Sequence, residues 1–336
     1  MEQIAILGGG SWGTALALLL ARHRPGECIR LWVHDGALGR SMQESRVNDV
    51  YLPGFELPPA IAITSDLRAA VADATLVVGV MPSAHAREVY TAAIEAAEQL
   101  PAFVSATKGI EISRLARMSQ VIEEVAAARR AEKPRVAALS GPSFAQETAR
   151  GDPIAVVAAS RDRELARTVQ ELFSGPSFRV YTSDDIVGVE LGGAVKNIIA
   201  IAAGICVGLG FGHSTLAALV TRGAAEMGRL ACALGALPRT LAGLSGIGDL
   251  VLTATGPLSR NRTVGIELGR GRPLVEILQS MRMVAEGIGT TAAALQLARR
   301  SGIEMPITEQ MYAVLYENRP PRDAIRELMQ RKLKEE

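Results

Sequence analysis

The chain has 336 residues, of which 48% are hydrophobic and 21% charged, a composition typical of a folded protein long enough for two domains. Its 36 lysines and arginines nearly balance its 35 aspartates and glutamates, which excludes a charge-driven binder of nucleic acid or acidic membranes. The cysteines at positions 28, 206 and 232 lie far apart in apolar segments and predict reduced interior thiols. The histidines form no cluster with metal-ligand spacing, so we expect no metal.

Neither a secretion signal nor a membrane span is expected. Met1, Glu2 and Gln3 lead directly into a strand pattern, without the basic region and apolar run that a signal peptide needs. The longest apolar stretch, residues 198–211, is interrupted by glycines and is too short to cross a bilayer. A cytoplasmic location follows as the expectation.

A glycine-rich turn follows the first predicted strand, residues 4–7, and precedes a helical pattern at residues 14–22. In this order, Gly8, Gly10 and Gly13 form a Gly-x-Gly-x-x-Gly dinucleotide-binding turn. The first glycine permits the turn, the second lets the backbone approach the pyrophosphate, and the third allows close packing of helix and strand. Since the N-terminus of a helix favours negative charge, the turn predicts binding of NAD or NADP.

The second predicted strand, residues 29–33, ends in His34 and Asp35. An acidic residue at this point typically binds the ribose hydroxyls of NAD, whereas a basic residue accommodates the 2′-phosphate of NADP. His34 could flank such a phosphate or could simply end the strand. The sequence therefore leaves the choice between NAD and NADP open.

Strands and helices continue to alternate through the first half, which predicts a doubly wound, mostly parallel sheet. The further strands are expected at residues 61–64, 76–80, 103–105, 136–139, 154–158 and 178–182, and the further helices after Ser65 and at residues 87–100 and 163–173. Ligands of such sheets bind beyond the carboxyl ends of the strands. Residues 82–83, 106–109 and 140–145 fall in that zone, and Lys108 there is either a cation facing the cleft or a solvated loop lysine.

From residue 186 onward the strand patterns give way to helical ones. The predicted helices are residues 186–207, 216–234, 238–241, 246–253, 262–269, 273–281, 289–301, 307–316 and 321–331. Residues 182–185 offer N-caps for the first of them, so we place a domain boundary there. The fold class is therefore α/β plus all-α, with an N-terminal dinucleotide-binding domain (residues 1–183) and a C-terminal helical substrate-binding and catalytic domain (residues 184–336).

Lys196 lies in the apolar segment 191–202, directly before Asn197. A buried ammonium is costly, and a buried lysine shifts its pKa readily and can exchange protons with a substrate. The alternative is a lysine whose stem lies along the core while its head reaches water. Lys196 is nevertheless the catalytic candidate.

Two polar segments of the second half are candidates for ligand contacts. The first, residues 246–249, places Asp249 at a glycine-rich turn before an apolar run. The second, residues 259–262, combines Ser259, Arg260 and Asn261, and an arginine beside an amide suits phosphate oxygens. A surface loop with solvated arginines is the alternative for this segment.

Seven ordered motifs together resemble the NAD(P)-dependent glycerol-3-phosphate dehydrogenases of bacterial type. They are residues 8–15, 106–109, 140–143, 192–197, 248–250, 259–262 and 284–287, within a match that runs from residue 4 to about 316. The resemblance implies a soluble enzyme that interconverts dihydroxyacetone phosphate and sn-glycerol 3-phosphate for glycerophospholipid synthesis. Separately, the apolar helical half favours a homodimer. Its substrate would be this phosphorylated triose, and no nucleic acid or membrane partner is implied.

The resemblance also implies roles for individual residues. Lys196 would be the proton donor and acceptor. The substrate would be lined by Lys108, Gly141, Ser143, Lys196, Asp249, Ser259, Arg260 and Asn261. Beside the turn glycines, the cofactor would be lined by Ser11, Trp12, His34, Lys108, Ala145, Arg260, Val284 and Glu286. Ser214 and Ala84 depart from the family pattern. These departures concern the structure of loops near the cleft and not the reaction.

Two other functions remain open at this stage. One is a β-hydroxyacid or sugar-acid dehydrogenase with the same two-domain plan, since arginine binds carboxylates as well as phosphates. The other is a non-enzymatic nicotinamide-sensing module. In such a module Lys108, Lys196 and Asp249 would have no reason to converge, so the distances between them test it.

Overall fold

The computed structural model describes residues 3–333 and 335. Met1 and Glu2 lie outside the described residues, so the expected lack of a secretion signal stays a prediction. The strands are β1 (Gln3–Leu7), β2 (Cys28–Trp32), β3 (Val47–Asn48), β4 (Leu52–Glu56), β5 (Ile61–Thr64), β6 (Leu76–Gly79), β7 (Ala102–Ser105), β8 (Ile110–Glu111), β9 (Ala116–Arg117), β10 (Val136–Ser140), β11 (Ile154–Ala159) and β12 (Phe178–Ser183).

Helices cover both faces of the sheet and make up the second half. They are α1 (Ser11–His23), α2 (Gly36–Ser45), α3 (Leu67–Val71), α4 (Ala86–Ala96), α5 (Met118–Arg129), α6 (Ala145–Arg150), α7 (Arg163–Phe173), α8 (Ile186–Gly208), α9 (His213–Ala233), α10 (Pro238–Leu241), α11 (Asp249–Thr255), α12 (Arg260–Gly269), α13 (Leu274–Gln279), α14 (Glu286–Ser301), α15 (Pro306–Tyr316) and α16 (Pro321–Met329). A 3₁₀ turn at Ser83–His85 precedes α4, and a π-helical turn at Leu244–Gly248 precedes α11.

The main sheet has the strand order β12-β11-β10-β7-β6-β1-β2-β5. Its neighbours are parallel except for β10 and β11, which run antiparallel. The predicted strands are all found, within a residue or two at each end, and the Rossmann-like, mostly parallel sheet is confirmed. Two antiparallel pairs, β3 with β4 and β8 with β9, were not predicted. β3, β8 and β9 have only two residues each, and β4 contains Pro53 and Gly54, which are atypical of strands.

The C-terminal half is helical, as predicted, and the two polar segments singled out in it lie at the starts of helices. The segment containing Asp249 forms the π-helical turn, and α11 begins at Asp249 itself. Ser259 is the N-cap of α12, whose amide at Arg262 donates to the Ser259 hydroxyl (3.2 Å). The expectation of a solvated surface loop there is wrong for Ser259 and Asn261, which are both buried. Arg260 is exposed.

Helix α8 runs through the centre of the molecule. By length and hydropathy it could cross a membrane, yet 89% of its most apolar window is buried inside the protein, as in the core helix of a globular domain. A bent pair, Pro238–Thr255 with Arg260–Gly269, also passes this weak test. Because α8 alternates small and branched apolar residues, the surrounding helices pack closely against it and bury Lys196 in the middle of its length.

The cysteine prediction is only partly correct. All three thiols are free, but only Cys206 is buried; Cys28 is half-buried and Cys232 is exposed on α9. The error arises because Cys232 follows the apolar period of α9 closely enough to suggest the core, while its own position faces solvent.

Candidate active site and dinucleotide site

The active-site cleft lies where the carboxyl ends of parallel strands meet the helical half. Ser83 follows β6, Lys108 follows β7, and Gly141 follows β10. Because β6, β7 and β10 are adjacent and parallel, these loops emerge at one edge of the sheet. The loops at residues 82–83, 106–109 and 140–145 therefore lie where the sequence placed them.

Two buried carboxylates fix the start of α8 against its surroundings. Asp185 caps the helix by accepting from the Gly188 amide (2.8 Å) and also accepts from the Leu237 amide (2.8 Å). Glu190 accepts from the amide and hydroxyl of Ser119 (2.7 and 2.6 Å) and from Arg117 (2.5 Å), all in the N-terminal half. These bonds set the position of α8, and hence of Lys196, relative to the sheet.

Lys196 is only 4% exposed, and its ammonium is held inside the protein. Nζ donates to Thr253 Oγ1 (2.8 Å) and forms an ion pair with Asp249 Oδ1. Burial and the nearby charge of Lys108 lower the pKa of Lys196 and Asp249 raises it, with a net value of about 7. The idea that the head of Lys196 reaches water is wrong, and both protonation states are accessible near neutral pH.

Lys108 reaches the same carboxylate from the other half of the molecule. Its Nζ lies 2.8 Å from Asp249 Oδ2 and donates to the Gly141 carbonyl (2.9 Å). Asn197 Nδ2 lies 3.3 Å from the Lys108 carbonyl. Lys108 is therefore a cation facing the cleft and not a solvated loop lysine. The convergence of Lys108, Lys196 and Asp249 argues against a non-enzymatic sensing module.

Thr253 belongs to the site but was missed from the sequence. Its hydroxyl donates to the Asp249 carbonyl (2.6 Å), so a lone pair of Oγ1 faces Lys196. Thr253 lies four residues after Asp249 on α11, and residues at this spacing share one helix face. That spacing is the signal that could have identified it.

The predicted phosphate-binding residues lie at the start of α12. Asn261 is buried, and its amide donates to Asn197 Oδ1 (2.9 Å) while its Oδ1 accepts from the Gly287 amide (2.9 Å). Arg260 is exposed, and its Nη1 donates to the Val284 carbonyl (2.9 Å). Across the cleft, Ser143 Oγ donates to the Gly141 carbonyl (3.0 Å).

The dinucleotide turn has the geometry that its three glycines predicted. Gly8 adopts a φ of +131°, and a Cβ on Gly13 would lie 1.9 Å from the Gly8 carbonyl oxygen. In front of the N-terminus of α1, a Cβ on Gly10 would meet no described atom within 4 Å. Within the described part of the chain no side chain caps α1, and its first turn has no acidic residue. Uncapped amides beside open space fit the pyrophosphate of a dinucleotide.

Residues around the turn support this fit. The indole Nε1 of Trp12 is buried without a hydrogen-bond partner among the described residues, and Ser11 Oγ contacts Met283 Sδ (3.4 Å). Trp12 and Ala145 are both partly buried and pack against the core of the sheet domain. Asn48, which sequence reasoning missed, is fully buried and donates to the Gly9 carbonyl (2.9 Å), holding the turn in place.

Glu286 joins the two halves of the molecule beside this site. Its carboxylate accepts from the amide and hydroxyl of Ser83 (2.9 and 2.5 Å). A Cβ placed on Gly109, the residue after Lys108, would lie 2.8 Å from Glu286 Oε2. Val284, two residues earlier, is exposed and presents its carbonyl to Arg260. His34, which directly follows Val33 after β2, is exposed.

The two departures from the family pattern lie at the surface. Ser214 is exposed in the first turn of α9, and Ala84 is exposed beside Ser83. No group of three or more potential metal ligands occurs among residues 3–333 and 335.

A mostly parallel sheet with a glycine-rich turn, joined to a helical domain that buries a lysine of lowered pKa, defines a nicotinamide-dependent dehydrogenase. Family models agree with this class. The model described as NAD-dependent glycerol-3-phosphate dehydrogenase N-terminus matches residues 3–166, and its C-terminus counterpart matches residues 185–326. The chain belongs to the NAD-dependent glycerol-3-phosphate dehydrogenase family.

Individual relatives support the assignment over the full length. A glycerol-3-phosphate dehydrogenase [NAD(P)+] from Koribacter versatilis is 54% identical over 332 residues, covering 98% of each chain. One from Syntrophotalea carbinolica is 54% identical over 334 residues, covering 99% of each. The crystal structure of glycerol-3-phosphate dehydrogenase from Coxiella burnetii is 40% identical, with a TM-score of 0.93 over 98% of each chain.

Proposed function

We propose that the protein interconverts dihydroxyacetone phosphate and sn-glycerol 3-phosphate with NAD(P)H, using Lys196 as general acid and base. The observation that carries the proposal is the buried Lys196 ammonium, bound to Asp249 and Thr253 and close to Lys108. Full-length relatives named for this activity support it over a β-hydroxyacid or sugar-acid dehydrogenase.

The chemistry is divided between the cofactor and the protein. When bound, the dihydronicotinamide would supply the hydride that reduces the substrate carbonyl. Lys196 donates a proton to the carbonyl oxygen, on which negative charge develops, and Lys108 stabilises that charge electrostatically. In the opposite direction, neutral Lys196 accepts the hydroxyl proton. Asp249 holds both amines in place, because each of its carboxylate oxygens binds one of them.

Substrate orientation is the task of the α12 segment. We assign the phosphate to Arg260, whose fork geometry suits phosphate oxygens, with Ser259, Asn261 and the loop containing Ser143 completing the subsite. Binding energy from this phosphate positions the carbonyl beside Lys196. Gly141 contributes its carbonyl, which fixes Lys108.

We assign the dinucleotide to the cleft above β1, with its pyrophosphate at Gly8, Gly10, Ser11 and Gly13. Trp12, His34, Ala145, Val284 and Glu286 would line the remainder, together with Lys108 and Arg260 where cofactor and substrate meet. We also propose that the domains divide at residues 183 and 184, since β12 ends at Ser183 and the central helix α8 begins at Ile186.

The wider setting is also part of this proposal. We propose that the enzyme works in the cytoplasm as a homodimer and supplies the backbone for glycerophospholipid synthesis. The family relationship and the apolar helical half, with exposed apolar residues such as Val275 and Leu278, support this.

The decisive experiment is a spectrophotometric assay of cofactor oxidation. Dihydroxyacetone phosphate should be reduced with NADH or NADPH, whereas unphosphorylated dihydroxyacetone and β-ketoacids should be poor substrates. Equal rates with and without the phosphate would contradict the assigned phosphate subsite, and preference for a β-ketoacid would favour the alternative dehydrogenase class.

A further inference from the structure

The adenosine end of the dinucleotide site contains two basic side chains that the reaction does not use. The turn is tied to β2, because the Gly8 amide donates to the Trp32 carbonyl (3.2 Å). An adenosine ribose linked to a pyrophosphate at α1 therefore reaches the residues that follow β2, which begin with His34 and Asp35. Whatever lies there contacts the 2′ position, the only place where NAD and NADP differ.

Asp35, the residue that would favour NAD, is already engaged. A single oxygen, Oδ1, accepts from the amides of Ala37 (2.8 Å) and Leu38 (3.2 Å), which makes Asp35 the N-cap of α2. This cap turns the carboxylate toward the helix, where the positive end of the helix dipole offsets its charge. Its repulsion of a 2′-phosphate is reduced accordingly.

Arg40 lies on the same helix and folds back toward this position. A Cβ placed on Gly36 would lie 3.6 Å from Arg40 Nη1, so the guanidinium lies over the first turn of α2, directly after Asp35. Arg40 is exposed and has no ion pair or side-chain hydrogen bond among residues 3–333 and 335. Its donors are therefore available to a ligand.

His34 provides a second group at the same place. Its ring is exposed after the end of β2 and makes an edge contact with Trp32, with ring centroids 5.5 Å apart. An arginine with free donors and a histidine that flank a ribose are suited to an additional phosphate, because guanidinium groups bind phosphate oxygens in pairs.

We propose that Arg40, assisted by His34, recognises the 2′-phosphate of NADP(H), and that Arg40 makes this chain select NADP(H) over NAD(H). The inference concerns discrimination between the two cofactors only. It is independent of the substrate and of the proton-transfer steps at Lys196.

The test is direct binding of each dinucleotide, without turnover. Dissociation constants for NADPH and NADH are measured by titration of nucleotide fluorescence for the wild-type protein and the Arg40→Ala variant. Arg40→Ala should weaken NADPH binding by about tenfold or more, the value of a charge-assisted hydrogen bond, and change NADH binding by less than about twofold. Arg40→Lys should retain part of the NADPH affinity because it keeps the charge but loses the fork.

Arg68→Ala is the matched control. Arg68 is also exposed, lies in the first turns of the helix after the neighbouring strand β5, and has no ion pair among the described residues. Its removal deletes the same charge and should leave the ratio of the two dissociation constants unchanged. As a second measurement, 2′,5′-ADP should compete with NADPH much better than 5′-AMP does in the wild type, and this advantage should be much smaller in Arg40→Ala.

Three results would overturn the proposal: tighter binding of NADH than of NADPH by the wild type, equal loss of both affinities in Arg40→Ala, or the same change of their ratio in Arg68→Ala. Because Arg40 is exposed and forms no ion pair within the described part of the chain, the variant is expected to fold, and an unchanged melting temperature checks this. The binding measurements do not depend on turnover. They would therefore still test the role of Arg40 if dihydroxyacetone phosphate proved not to be a substrate.

Discussion

Lys108 and Lys196 approach each other from different halves of the molecule and bind different oxygens of one carboxylate, that of Asp249. The arrangement places two amines and one acid in a site with little solvent, where electrostatic interactions are stronger than in water. Lys108 therefore influences the protonation of Lys196 directly, and the pair functions as one electrostatic unit.

Replacing Lys196 with methionine should lower turnover by about 10²- to 10⁴-fold, the usual contribution of a general acid or base. The methionine keeps the length of the apolar stem, and Asp249 retains its ion pair with Lys108, so the fold should persist. Steady-state kinetics together with dinucleotide titration check this. Near-normal turnover would remove Lys196 from the mechanism.

The pH dependence of the two directions should be opposite. Since burial lowers the pKa of Lys196 to about 7, the ammonium needed for ketone reduction is lost as the pH rises through that value. The amine needed for alcohol oxidation appears over the same range. Profiles of kcat/KM should therefore fall through about pH 7 for reduction and rise for oxidation. Lys108→Met should move both inflections to higher pH; an unmoved inflection would separate Lys108 from Lys196.

Thr253→Val should lower kcat by about fivefold to tenfold, because a nearly isosteric side chain removes one hydrogen bond from Lys196. Loss of an acceptor disfavours the ammonium, so the inflection should move to lower pH. Thr253→Ser keeps the hydroxyl and should restore both values. A valine variant with an unshifted pH profile would show that Thr253 serves only the packing of α11.

Arg260→Ala should raise the KM for dihydroxyacetone phosphate by about tenfold or more, because a charge-assisted contact to phosphate is lost. Its melting temperature should change little, since the arginine is exposed and, among the described residues, its side chain donates only to the Val284 carbonyl. Inhibition by inorganic phosphate offers a further measurement. If KM stays constant while stability falls, Arg260 is structural and the phosphate lies elsewhere.

Gly10→Val should abolish tight dinucleotide binding while leaving the fold intact. Gly10 has an extended backbone (φ −79°, ψ −175°) that valine tolerates, and the space in front of it is open within the protein. Gly13→Val is the contrasting variant, because its side chain would collide with the Gly8 carbonyl and should prevent folding. Thermal melts and NADH titration distinguish the two, and unchanged affinity in Gly10→Val would contradict the turn assignment.

Much of the fold could be predicted from the sequence because it depends on local patterns. Runs of branched apolar residues such as residues 76–80 indicate buried strands, and the glycine spacing at Gly8, Gly10 and Gly13 indicates the dinucleotide turn. The central helix α8 could also be predicted, since a long apolar segment that contains small residues is typically a buried helix in a globular protein.

Only the tertiary structure decided which groups surround Lys196. Thr253 lies 57 residues from it in sequence, and Lys108 lies 141 residues from Asp249, so no local period connects them. The exposure of Cys232 and the helical start at Ser259 were likewise decided by how α9 and α12 pack. Sequence determines which segments bury apolar surface, whereas the packing of those segments determines which polar groups meet and which amine loses its water.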